Sequence, residues 1–88
     1  MEKVTYDSYS FWYEGDWMFV KHNGKIQSIK VVDDLEFVFK LQKNQIRARG
    51  GAKELYEWMK NAIDHDDVFL TYVKQILYWV VFRKKKDA

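Results

Sequence analysis

Apolar and aromatic residues run in short β-type segments through the first half of the chain and change to helical three-and-four spacing in the second. The change of period predicts two kinds of element in one α+β domain, residues 1–88. "WMFVKHNGKIQSIKVV", residues 17–32, is the clearest hairpin: two strand-like runs meet at Asn23-Gly24. That pair suits a type I′ turn, which needs positive φ at both central residues. The turn sets the register, with His22 facing Lys25, Val20 facing Gln27, Met18 facing Ile29 and Asp16 facing Val31. Side chains alternate across a strand, so Trp17, Phe19 and Lys21 share the other face with Lys30, Ser28 and Ile26. Neither face is cleanly polar. If Met18, Val20, Ile29 and Val31 point inward, Trp17 and Phe19 stand outside among lysines. The opposite orientation would expose Met18 and Ile29.

Before the hairpin, "VTYDSYSFWY" at 4–13 is rich in β-formers and reads as one strand ending at the Glu14-Gly15-Asp16 turn. After it, Asp33-Asp34 breaks the run and "LEFVFKL" alternates again. "QKNQ" at 42–45 can turn, which leaves "IRAR" as a short final strand. The expectation is an antiparallel meander of four to five strands, over about 4–49. In "AKELYEWMKNAI", Ala52, Leu55, Trp58, Met59, Ala62 and Ile63 share one helical face, which predicts a helix over about 52–64. Asp66 or Asp67 then caps a second helix over about 67–83, with Phe69, Tyr72, Val73, Ile76, Leu77 and Val80 as its stripe. Both helices are expected on one face of the sheet. Leu70, Val81, Val68 and Trp79 widen the apolar arc of the second, so it needs cover on two sides, from the sheet and from the first helix or a second subunit. "ILYWVVF" at 76–82 is also β-prone, and a closing strand there competes with the helix.

Composition narrows the chemistry. Cysteine is absent, so no disulfide or thiolate metal site can form, and a reducing, cytoplasmic setting is the expectation. The first ten residues lack the charged-then-apolar pattern of a signal peptide. Residues 68–82 hold Lys74 and Gln75 and fall about five residues short of a bilayer span, so no stable membrane span is expected. Fifteen basic against thirteen acidic residues leave a net charge of only +2, which is no nucleic-acid-binding excess. The basic residues cluster instead: five lie between Lys40 and Lys53 with no acid among them, and Arg83–Lys86 form a second group, opposed by Asp64–Asp67.

No catalytic set emerges, and neither cofactor nor metal is expected. His22 reads as a solvated turn residue, and consecutive acids around His65 do not converge as metal ligands do. Two surfaces remain. Trp17, Phe19, Lys21 and Lys30 form an aromatic and basic platform suited to a partner protein, or to stacked nucleobases. Arg47, Arg49, Gly50, Gly51 and Lys53 gather at the start of the first helix, where cations are normally disfavoured. A bare glycine start with cations beside it suits an anion; otherwise Arg47 and Arg49 guard an edge strand and the glycines make a tight corner.

Aromatic residues make up 18% of so short a chain, more than a small core readily absorbs, and such rings are favoured at interfaces. In this style, one short domain with dense rings and no catalytic set, the chain is similar to small phage-encoded proteins that bind and disable a host enzyme. The expected function is therefore a non-enzymatic intracellular binding protein, of phage-inhibitor type, blocking a host protein such as a CRISPR or other defence nuclease complex. Its contact residues would be Trp17, Phe19, Lys21, Lys30, Arg47, Arg49 and Lys53. One alternative is a nucleic-acid or nucleotide-binding module using the same basic and aromatic surface. Another is an oligomeric structural or assembly subunit, with a homodimer contact through the C-terminal helix.

Overall fold

The computed structural model describes residues 2–31, 36–41, 44–65 and 69–82; the side chains of 36–41 and 44–49 lie outside that description. Four strands form an antiparallel meander in sequence order: β1 (Val4–Tyr6), β2 (Tyr9–Glu14), β3 (Trp17–His22) and β4 (Lys25–Lys30). The stretch read as one strand over 4–13 is two. Tyr6 pairs with Tyr9 across Asp7-Ser8, and Asp7 holds φ 55°, a left-handed conformation that Asp tolerates better than most residues. The second turn falls at Gly15-Asp16 as expected, with Glu14 opposite Trp17. The third has Asn23 at φ 51° and Gly24 at φ 81°, the type I′ signature, and every β3–β4 pair has the register the turn dictates. Val31 N–H extends the ladder by bonding to Asp16 C=O at 2.6 Å.

The next two strands, β5 (Glu36–Leu41) and β6 (Asn44–Arg49), pair with each other in a separate two-stranded sheet rather than extending the meander. The expected Asp33-Asp34 break lies outside the described residues. Two helices follow, α1 (Ala52–His65) and α2 (Leu70–Phe82), close to their expected spans; the Asp66 or Asp67 cap and Arg83–Lys86 are outside the description. Residues 76–82 are helical. Their β-branched content is overruled by packing, because the helical arrangement puts Tyr72, Val73, Leu77 and Val80 all inside.

Both helices cover the face of the four-stranded sheet that carries Phe11, Met18 and Val20. α1 lies over β2 and β3, and α2 over β3 and β4. This settles which way up the hairpin sits: Met18, Val20 and Val31 are fully buried and Ile29 nearly so, joined by Met59, Val73, Leu77 and Val80 from the helices. Rings bind α1 to β2: Tyr56 packs edge-on against Phe11 at 5.8 Å and beside Tyr13 at 5.2 Å, and its hydroxyl donates to Glu2 C=O at 2.8 Å. Trp58 of α1 meets Phe69, just before α2, at 5.7 Å. Among the described residues no helix is long and apolar enough to cross a membrane.

Candidate protein-interaction surface

With the helices on one face, alternation sends Trp12, Trp17, Phe19, Lys21, Ile26, Ser28 and Lys30 to the other. These residues do not share one fate. Trp12 is only 8% exposed, held between its neighbours on either strand. The Phe19 ring stacks on it at 5.5 Å and 10°, and the Lys3 ammonium lies 4.5 Å from its ring centroid. Cation, indole and phenyl thus form a row from the residue before β1 across β2 to β3, and the indole is covered from within the chain. Trp17, one row further, stays 43% exposed opposite Lys30, and Ile26 is 54% exposed opposite Lys21. Trp17, Phe19, Lys21 and Lys30 therefore do come together on one face, with Phe19 half-buried.

A second group of rings was not anticipated from the sequence. Tyr9 and His22 are paired across β2 and β3 at the turn end of the sheet, and their rings stack at 4.4 Å. His22 meets Phe82 of α2 edge-on at 5.6 Å, and Phe82 meets Tyr78 one helical turn earlier at 4.7 Å. His22 is half-buried rather than solvated. Asn23 Nδ2–H donates to its Nε2 at 3.2 Å, so Nδ1 carries the proton and donates to Ser8 C=O at 3.2 Å, with Ser8 Oγ at 3.1 Å. The imidazole thereby ties the β1–β2 turn to the β3–β4 turn and gives α2 something to rest on. Beyond it, Tyr78 is 61% exposed and Phe82 50%.

Two grooves flank this ladder of rings. One, of 390 Å³, is lined by Tyr9, Thr71, Gln75 and Tyr78, with the Lys74–Asp7 ion pair (3.9 Å) at its edge. The other, of 280 Å³, lies between β4 and the end of α2, lined by His22, Asn23, Lys25, Gln27, Val81 and Phe82. Lys25 joins the two surfaces: it lines this groove and precedes the exposed Ile26. Tyr78 and Phe82 on the α2 side, Lys25 beside the turn, and Ile26, Trp17 and Lys30 on the far face together make up one candidate band around the β3–β4 hairpin. Its sequence signal was the placement of Tyr78, Trp79 and Phe82 off the α2 stripe; the contribution of Tyr9 and His22 depends on contacts between distant segments.

At the expected basic corner, the described residues show how α1 begins. Leu55 N–H bonds to Gly51 C=O at 3.0 Å, which starts α1, and the Glu54 carboxylate turns back to accept the Gly51 N–H at 2.9 Å. Glu54 supplies one half of a capping box, placing its own anion at the helix start. Gly50 allows this: at φ 147°, a Cβ there would lie 2.5 Å from Glu54 Cβ and Cγ. Lys53 is exposed on α1, across the sheet from Trp17 and Phe19. Arg47 pairs with Val38 and Arg49 with Glu36 along the backbone, and the side chains of both lie outside the described residues. Set against protein-family models, curated proteins and solved structures, the chain matches no family model, no curated protein and no solved structure.

Proposed function

We propose that this chain is a non-enzymatic binding protein that grips a partner protein through the band from Tyr78 and Phe82 to Ile26 and Trp17. The observation that carries the reading is the exposure of these four large side chains while the core of the described residues forms without them. Large exposed apolar side chains, where they gather, mark interaction sites, and rings beside lysines match the composition of interface centres and rims. The reading extends to an inhibitor that blocks a host protein, a CRISPR or other defence nuclease complex being the target class that small size and dense rings suggest.

The nucleic-acid alternative is less favoured by the geometry. A base-stacking platform needs open ring faces, whereas Phe19 of the expected platform is half-buried and stacked on Trp12 at 5.5 Å, which leaves Trp17 as its one exposed ring. The start of α1 already holds the Glu54 carboxylate where a phosphate would bind. Affinity capture from cells of the native source, with and without nuclease and at two salt concentrations, separates the readings. The proposal predicts one protein recovered in both nuclease arms with little change in salt. Recovery that disappears with nuclease and falls steeply with salt favours the phosphate-binding alternative. A chain that recovers only itself, and whose sedimentation grows with concentration, would make the band a homo-oligomer contact through α2.

A further inference from the structure

Among the described residues β4 is an end strand of its sheet, and the turn before it specifies which backbone groups face outward. In a type I′ hairpin His22 and Lys25 are a hydrogen-bonded pair, and the 2.6 Å bond from Val31 N–H to Asp16 C=O falls in the same phase. Alternation along the ladder then sends the N–H and C=O of Ile26 away from β3, toward the opposite edge of the strand. Natural edges are blunted by proline, bulges or a charge in mid-strand. β4 has neither proline nor bulge, and its lysines stand at its two ends. Beside this edge, on the side of α2, lies the 280 Å³ groove walled by Val81 and Phe82. A strand laid along Ile26 would send its neighbouring side chains, one on each side of the paired residue, toward Lys25, Gln27 and that groove.

We infer that β4 and the groove beside it take an extended, acidic segment of the partner protein as an added strand. This rests on the protein-binding reading above and specifies its chemistry. Main-chain bonds to Ile26 would give the register, an apolar side chain would fill the groove, and a carboxylate would meet Lys25. Charge selects the occupant. Lys21, Lys25 and Lys30 surround the edge and take part in neither described ion pair, which are Lys60–Glu2 and Lys74–Asp7. A second copy would bring a duplicate set of these cations against them, which is unfavourable, whereas an acidic strand is drawn in.

The test uses a displayed library of random twelve-residue peptides panned against the full chain, followed by fluorescence anisotropy on the selected consensus peptide. The expected consensus carries an acidic and a large apolar residue two positions apart. N-methylation of the residue between them, which removes its bond to Ile26 C=O without altering the protein, lowers affinity at least tenfold, and so does Lys25→Glu. The inference is overturned if no peptide is enriched, or if selected peptides bind equally well when N-methylated or to Lys25→Glu. Whole-partner capture that survives Lys25→Glu and is not displaced by the consensus peptide removes the added strand and leaves the protein-binding reading intact. Loss of capture by Tyr78→Ser/Trp17→Ser with peptide binding unchanged identifies a partner contact beyond the edge and supports the added strand.

Discussion

Trp12 and Trp17 lie on the same face of the sheet on adjacent strands, yet Trp12 is nearly buried and Trp17 stays 43% exposed. Replacing each with alanine measures the consequence of this difference. A fully buried indole removes up to about 250 Å² from water, worth about 6 kcal/mol at about 25 cal/mol per Å² as an upper bound. Compactness of the unfolded chain and the retained Cβ bring this to about 4 kcal/mol, within the range of about 3–5 kcal/mol for buried Trp→Ala changes. Trp12, 8% exposed and with Phe19 at 5.5 Å and the Lys3 ammonium at 4.5 Å, should lose close to that whole amount. Trp17 keeps 43% of its surface in solvent, and removing it opens no closed cavity. Its loss should be about 1–2 kcal/mol, since only the transfer part applies. Urea unfolding followed by circular dichroism reads both. With a slope of about 1 kcal/mol per molar urea, the two midpoints should differ by about 2 M. Equal midpoint shifts for the two variants, or a larger shift for Trp17→Ala, would refute the assignment of Trp12 to structure and Trp17 to contact.

Other predictions concern the turns, the helix start and the core. Gly24→Ala should lose about 1 kcal/mol from its positive φ alone, because nothing lies within 4 Å of the added Cβ. Gly50→Ala should lose more, about 2–4 kcal/mol by the same urea assay, because its Cβ also displaces Glu54 from the cap; a loss no larger than that of Gly24→Ala contradicts this. Glu54→Ala should lose about 1 kcal/mol with the bond to Gly51 N–H, and Glu54→Gln less, since an amide oxygen still accepts it. Met18→Ala, in a position with no solvent exposure, should lower stability by about 2–5 kcal/mol in thermal or urea unfolding.

Much of this fold is legible locally. Asn23-Gly24 dictates a register that every β3–β4 pair obeys, because the turn's backbone requirements admit few residues. The choice of inward face is different: Met18 and Phe19 are both apolar, and only the arrival of α1 and α2 on the Met18 side decides it. The Asp7-Ser8 turn was hidden by the β-formers around it, although Asp and Ser are turn residues in their own right. In α2 the spacing of Tyr72, Val73, Leu77 and Val80 outweighs the β-propensity of the last seven residues. Of the candidate site, Trp17, Phe19, Lys21 and Lys30 were visible as one face of a hairpin of known register. The Tyr9–His22–Phe82–Tyr78 ladder was not, since it joins β2, β3 and the end of α2, segments that no local pattern relates. The acid that caps α1 was readable as Glu54 three residues after Gly51, a capping-box spacing obscured by Arg47, Arg49 and Lys53 before it.

The rings left outside the core are, on the proposed function, the means of attachment. Capture of partner by the folded triple variant Trp17→Ser/Tyr78→Ser/Phe82→Ser, compared with the wild-type chain under identical conditions, tests it most directly. The expected variant keeps a cooperative unfolding transition and no longer recovers the protein held by the wild type. Undiminished recovery of the same protein by the folded variant would contradict it.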